Sequence, residues 1–160
     1  MMYSDILGSI KTVDQAREFG SEIDILIESL FKTENNFESY LNQISAHNAR
    51  MIREASEKNS IDTKNQSMIN DYLEGVKEEL RKLKTIKITI AFEPSNKSID
   101  LIFTWVSQNL GIGHILDISV EKSILGAAII EYEGKYEDMS LKKKLDELFE
   151  RRKEEIYERF

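Results

Sequence analysis

Residues 85–92 read Thr-Ile-Lys-Ile-Thr-Ile-Ala-Phe, and this stretch decides the fold class. Its apolar residues, mostly β-branched, alternate with polar or small ones, which is the pattern of a strand with one buried face. Pro94 follows closely and ends the strand, because proline has no N–H to donate to a ladder. The strand therefore separates a first half without such alternation from a mixed second half.

The sequence after this strand predicts a helix, two more strands and a closing helix. Apolar residues from Ile99 to Leu110 recur at helical spacing, and Gly111 ends that helix. Residues 115–120 and 125–132 read as strands, and Glu133-Gly134-Lys135 reads as a turn. Asp138 or Ser140 is expected to cap the closing helix. The apolar edge of that helix is formed by Leu141, Leu145, Leu148, Phe149 and Ile156.

The sequence before the strand predicts three helices, or two if residues 33–36 stay helical. Their apolar stripes run from Ala16 to Leu30, from Phe37 to Met51 and from Ile69 to Leu83. Breaks are expected at residues 33–36 and at Asn59-Ser60, with Thr33 and Ser60 as N-caps. The predicted fold class is α+β: an N-terminal helical hairpin or small bundle over residues 1–84, then a β-α-β-β-α module over residues 85–160.

Composition narrows the class of protein. The 160 residues contain no Cys, which excludes disulfides, thiolate metal sites and a thiol nucleophile. The formal net charge of -7 argues against binding to phosphate backbones, so no nucleic-acid partner is expected. No apolar run is long enough to span a bilayer, and the N-terminus does not read as a signal peptide. We therefore expect a cytoplasmic protein without direct membrane insertion.

No group of residues indicates catalysis. His47 and His114 each lack the neighbouring ligands or bases that metal binding and proton transfer need. Gly111 and Gly113 belong to neither a dinucleotide fingerprint nor a P-loop, and Ser123 lacks a nucleophile elbow. We expect no catalytic, cofactor-binding or metal site. Trp105 lies off the apolar stripe of its helix, so it is the residue expected at a partner interface, although packing within the chain would explain it equally well.

The second half resembles the delta subunit of F-type ATP synthases, also called the oligomycin-sensitivity-conferring protein. Several positions carry the resemblance, from about residue 85 onward: the strand end at Ala91, Pro94, the Leu125-Gly126 pair, the Gly134 turn, and Asp138 with Ser140 before a leucine-rich helix. Ala127 and Met139 stand where the family pattern has glycine. The three predicted helices are fewer than the family's N-terminal bundle contains.

The resemblance implies a peripheral-stalk, or stator, subunit that performs no chemistry. Its N-terminal helices would hold the N-termini of the alpha subunits. Its C-terminal module would bind the C-terminal helix of stalk subunit b. The protein would then lie on the inner face of the cell membrane as part of a complex that makes ATP from a proton or sodium gradient, and it would need no cofactor.

Two other interpretations remain open from sequence. The E subunits of V- and A-type ATPases also end in a small α/β head with a glycine-containing strand and a leucine-rich helix. A small regulatory, ligand-binding module with a helical dimerisation arm would share the same order of elements, since fold alone does not give function.

Overall fold

The structure is a computed structural model that describes residues 2–32, 37–124, 126 and 128–138. It divides into two compact units. One contains the described residues up to Lys84 together with Trp105–Ile115. The other contains Thr85–Thr104 and the described residues from Leu116 onward.

The first unit is a helical bundle. Its helices are α1 (Ser4–Ser9), α2 (Val13–Leu30), α3 (Phe37–Leu41), α4 (Ala46–Lys58) and α5 (Gln66–Arg81). They enclose one core of almost wholly buried side chains: Ile6, Phe19, Ile23, Leu26, Leu41, Ile52, Ile69, Leu73 and Val76. The predicted α+β class is confirmed. The sequence predicts a helical hairpin or a small bundle for the first half, and the structure has the bundle. The described residues before the sheet contain five helices, however, and not three.

The helix boundaries in the structure show that one predicted N-cap, Ser60, was wrong. Ser60 does not begin α5; it follows the end of α4 with φ of 55°, and its neighbour Ile61 N–H donates to Ser56 O at 2.9 Å. This is a helix C-terminal turn, which uses a left-handed residue. Asn65 is the N-cap of α5, where its side chain accepts a hydrogen bond from Met68 N–H. The N-cap expected at Thr33 lies outside the described residues.

A carboxylate clamp ties α2 to the start of α4. Glu22 accepts hydrogen bonds from Ser45 N–H (2.8 Å), Ser45 Oγ (3.1 Å) and Asn48 Nδ2 (2.7 Å). Ser45 is also the N-cap of α4, so a negative charge lies at the positive end of that helix. Asn48 can therefore occupy a buried position on an otherwise apolar stripe, because its amide has a charged partner.

Helix α1 packs onto the bundle through an aromatic contact. The Tyr3 and Tyr72 rings lie 5.6 Å apart, and the Tyr3 hydroxyl reaches over Gly75 of α5. Ile6, Leu7 and Ile10 bury the apolar side of this segment, and Asp5 pairs with Lys58 of α4 at 2.7 Å. A six-residue helix is too short to be stable alone, so these contacts hold it in place.

The sheet has four strands in the order β2-β1-β3-β4. They are β1 (Lys84–Ile90), β2 (His114–Val120), β3 (Ala128–Tyr132) and β4 (Lys135–Asp138), and α6 (Asn96–Leu110) connects the first two. Hydrogen bonds from Lys84 N–H to Gly113 O and from Glu121 N–H to Ile90 O join the matching ends of β1 and β2, so these strands run parallel. β1 and β3 are antiparallel, with Ile88 opposite Ile130.

The predicted strand over residues 125–132 is shorter in the structure, and a further strand follows it. Lys122–Ile124 form one 3-10 turn, and β3 begins at Ala128. The turn at Glu133 and Gly134, with φ of 48° and 75°, leads into β4. Asp138 belongs to β4 and pairs with Ile129, so it is not a helix cap. Ser140 and the predicted closing helix lie outside the described residues.

Candidate partner interface

Helix α6 has one buried side and one exposed side. Ser95 begins it, accepting a hydrogen bond from Ser98 N–H at 3.1 Å, which is the usual role of an N-cap serine. Phe103 and Val106 are buried, while Leu101 and Trp105 are 64% and 61% exposed. Residues four apart lie above one another on a helix, so Leu101 and Trp105 form one apolar strip.

Two exposed apolar residues lie outside this strip: Leu110, nine residues after Leu101, is on the opposite side of the helix, and Ile112 follows the end of α6. Leu110 is 42% exposed and Ile112 is 63% exposed. We call the exposed residues Leu101, Trp105 and Gln108, which lie on one side of the helix, the α6 face. Exposed apolar side chains that adjoin one another, as Leu101 and Trp105 do, are a common feature of interaction sites.

The bundle offers a second surface along α2, exposed at Asp24 and Phe31 and half-buried at Gly20 and Ile27. Gly20, Asp24, Ile27 and Phe31 recur at spacings of four, three and four residues, which places them along one side of that helix. Lys77 Nζ of α5 lies 2.6 Å from Asp24 Oδ1, so this side of α2 borders α5. Phe31 is 71% exposed at one end, and a Cβ added at Gly20 would meet no atom within 4 Å. We call this surface the α2–α5 seam.

The seam carries an excess of carboxylate. Asp24 and Glu74 both pair with the same ammonium group of Lys77, at 2.6 and 3.7 Å. The hydrogen bond to Asp24 raises the pKa of Lys77, so the lysine stays charged across the physiological range. A partner that approaches the seam therefore meets an apolar end at Phe31 and a net negative middle.

The family-motif residues within the described ranges occupy turns and strand ends. Ala91 directly follows β1 and Pro94 lies in the loop before α6, and both are half-buried. Gly126 and Gly134 have φ of 87° and 75°, values that favour glycine. Leu125 and Ser140 lie outside the described residues. The motif residues that the structure describes lie around the sheet, and none of them belongs to the α6 face.

The described residues gather no metal-ligand cluster of three or more His, Asp or Glu side chains. His47 is exposed on α4, and His114 Nδ1 lies 3.2 Å from Gly111 O at the start of β2. Burial raises the pKa of Tyr72 to about 12, with the neighbouring Tyr3 adding to the rise. The raised pKa of Tyr72 results from the packing of α1 onto the bundle, and among the residues that the structure describes Tyr72 lines no cleft. Within the described part of the chain no helix is long and apolar enough to cross a membrane.

The sequence prediction named one residue of the α6 face and missed the others. The apolar spacing predicts Leu110 on the buried side of α6, where the structure leaves it 42% exposed, and it predicts nothing for Leu101 or Ile112. A signal was present: residues 101–116 contain no Asp, Glu, Lys or Arg, although 32% of the chain is charged. A buried helix and an exposed interface both produce such a run, so the sequence alone does not separate them.

Most of the chain matches a known protein family. The family model for the ATP synthase delta (OSCP) subunit matches residues 26–151, well over half of the chain. The chain belongs to this family. The predicted resemblance is confirmed, and the match extends from the second half back into α2. Members of the family are structural subunits of the ATP synthase peripheral stalk.

The similarity to solved structures is weak. A chain in the cryo-EM structure of the Toxoplasma gondii mitochondrial ATP synthase hexamer is similar at 12% sequence identity, with a TM-score of 0.37, over 83% of this chain and 96% of that one. Similarity at this level does not by itself establish a shared fold. No curated protein matches the sequence. Family membership favours the delta-like interpretation over the E-like subunit and the regulatory module.

Proposed function

We propose that this protein is the non-catalytic stator subunit that connects the catalytic head of an F-type ATP synthase to its stalk helices. The observation that carries the proposal is the family match over residues 26–151. The protein would act on the inner face of the cell membrane, as part of a complex driven by protons or sodium ions. It would insert no segment into the bilayer itself.

The task is mechanical. Rotary catalysis requires the head to stay fixed while the central shaft turns, so a connector must bind the head and the stalk at once. Helix-in-groove contacts with apolar anchors suit that role because they need shape and burial and no reactive group. A protein with two surfaces that each expose an apolar anchor, Trp105 on one and Phe31 on the other, meets this requirement.

We assign the stalk contact to the α6 face. Its anchor would be Trp105, which presents a large aromatic surface with little side-chain entropy to lose on binding. The partner would be the C-terminal helix of subunit b. Leu101, one turn before Trp105, extends the apolar strip along which that helix would lie.

We assign the head contact to the α2–α5 seam. The partner would be the N-terminal segment of an alpha subunit, bound as an amphipathic helix. Phe31 supplies an exposed apolar anchor, and the carboxylates of Asp24 and Glu74 favour basic residues beside the apolar stripe of the partner.

Two further points belong to the same proposal. Residues 1–84 and 85–160 would act as separate domains, one for the head and one for the stalk. The motif positions would serve this architecture without touching a partner: Ala91, Pro94, Leu125, Gly126, Gly134, Asp138 and Ser140. The positive φ of Gly126 and Gly134 supports a conformational role for these two residues.

A binding titration tests the stalk contact. The full chain is titrated with a synthetic peptide of the C-terminal helix of subunit b from the same source. Trp105→Ala should weaken binding by about 2 kcal/mol or more, the usual cost of truncating an aromatic hot spot. Phe92→Ala is the matched control, because Phe92 is equally exposed but is not part of α6.

Thermal melts of both variants complete the test. Unchanged melting with weaker binding of the Trp105 variant alone supports the assignment. If binding holds while the melt of that variant collapses, Trp105 is a core residue. If the wild-type chain binds no stalk peptide, the stator proposal loses its main support.

A further inference from the structure

Gly20 lies in the interior of α2, where a glycine weakens the helix. It is the eighth of 18 helical residues, and its backbone is right-handed, unlike that of the glycines with positive φ. Glycine is less favourable than alanine in a helix interior because it loses more backbone entropy on folding. A Cβ added at Gly20 would meet no atom within 4 Å. An alanine would therefore fit and would make the bundle more stable.

Gly75 shows what usually requires a glycine inside a helix. A Cβ at that position would lie 2.1 Å from the Tyr3 hydroxyl oxygen, so a neighbour within the chain excludes any side chain there. Within the part of the chain that the structure describes, Gly20 has no such neighbour. A neighbour that approaches from outside the chain would give the same physical reason for a glycine.

The position of Gly20 says where that neighbour would lie. Gly20 is half-buried on the side of α2 that also carries Asp24, Ile27 and Phe31, which together form the α2–α5 seam. A glycine among larger side chains leaves a shallow depression, and there the atoms of a partner can reach the helix backbone itself. Eleven residues further along the same side, Phe31 offers an exposed apolar surface.

The two helices of the seam carry most of the negative charge of the protein. α2 has five carboxylates and one basic residue, and α5 has four carboxylates and two basic residues, so they contribute -4 and -2 to the formal net charge of -7. Arg17 pairs with Asp14, and Lys77 pairs with two carboxylates, so these basic groups already have partners. An excess of one charge attracts partners of the opposite charge. The occupant that fits this surface is a basic peptide segment.

We infer that Gly20 is a close-contact point for the partner of the α2–α5 seam: a basic peptide segment lies against the α2 backbone there, in the volume that a Cβ would fill. This inference rests on the head contact proposed above and adds a residue that selects the partner by steric fit. It also implies that stability and binding oppose each other at this position.

Substitution of Gly20 by two good helix formers tests the contact. The full chain is titrated with a synthetic peptide of the N-terminal segment of the alpha subunit from the same source. Gly20→Ala should raise the urea midpoint of unfolding by about 0.3–1 M and weaken peptide binding about tenfold. Gly20→Leu projects further from α2 and should weaken binding about a hundredfold or more.

Gly8 provides the matched control. It also lies in a helix, and a Cβ added there would likewise meet no atom within 4 Å, but α1 is not part of the seam. Gly8→Ala and Gly8→Leu should leave the dissociation constant within about twofold of the wild-type value.

Ionic strength tests the chemistry of the partner. The same peptide is titrated onto the wild-type chain at about 0.05 M and about 0.5 M NaCl, a range over which exposed charge pairs become strongly screened. Binding to a basic segment should weaken about tenfold or more at the higher concentration. Binding that is independent of salt would show that charge does not select the partner and would overturn that part of the inference.

The outcomes separate this inference from the proposed function. Unweakened binding of both Gly20 variants would overturn the close contact and leave the head contact standing. A lower urea midpoint for Gly20→Ala would also overturn it, because the chain itself would then require the glycine. Absence of wild-type binding at both salt concentrations would refute the head contact, and the inference would fall with it.

Discussion

Gly75 offers a sharp test of how α1 is held on the bundle. A Cβ placed on Gly75 would lie 2.1 Å from the Tyr3 hydroxyl oxygen and 2.7 Å from Tyr3 Cζ. Ordinary contact distances exceed 3.4 Å, so the ring would have to retreat by about 1 Å or more while it packs against Tyr72. Overpacking of this kind costs about 1–3 kcal/mol. The better helix propensity of alanine returns about 1 kcal/mol.

Gly75→Ala should therefore lower the free energy of unfolding by up to about 2 kcal/mol in the wild-type background. In a Tyr3→Ala background the clash is absent, and the same change should raise stability by about 0.5–1 kcal/mol. The assay is urea denaturation of the four proteins followed by far-ultraviolet circular dichroism. The reversal of sign is the signature of the contact. Equal effects in both backgrounds would show that Tyr3 does not lie over Gly75.

Three further predictions concern stability. Glu22→Ala should cost about 2–3 kcal/mol in denaturant titrations, because it leaves the buried Asn48 amide and the start of α4 without their charged acceptor, whereas exposed Glu18→Ala should cost little. Because the pKa of Tyr72 is raised to about 12, the folded chain keeps this hydroxyl protonated at a pH where the unfolded chain loses the proton. The stability of the wild-type chain should therefore fall more steeply between about pH 10 and 12 than the stability of Tyr72→Phe. Parallel curves for the two proteins would refute this prediction. Leu145→Ala should lower stability by about 2–5 kcal/mol if the predicted closing helix packs on the sheet, and an unchanged melt would refute that packing.

Strong periodicity made parts of this fold predictable. Alternation identified β1, and apolar spacing identified α2, α5 and α6, because each of these elements buries one face continuously. The boundary between α3 and α4 was missed for a related reason. Apolar residues at Phe37, Leu41 and Ile44 keep helical spacing across the turn that separates the two helices, so the sequence reads as one helix.

Other elements gave no periodic signal. Helix α1 spans six residues, too few to show a pattern, and it is held by the Tyr3 contact and the Asp5–Lys58 ion pair. β4 is an edge strand of sequence Lys-Tyr-Glu-Asp, with no apolar alternation because it is mostly exposed. Asp138 therefore looked like a helix cap. In the same way, Leu110 reads in the sequence as part of the buried stripe of α6, although it is 42% exposed, because exposure is a tertiary property.

Copurification tests the central claim most directly. An affinity-tagged copy of the chain is expressed in its native source, membranes are solubilised in mild detergent, and the proteins retained with the tag are identified and quantified by mass spectrometry. The stator account predicts alpha subunits and stalk subunit b among the most abundant partners, with subunit b lost selectively when the tagged chain carries Trp105→Ala. Recovery of the folded, tagged protein without any ATP synthase subunit would contradict the account.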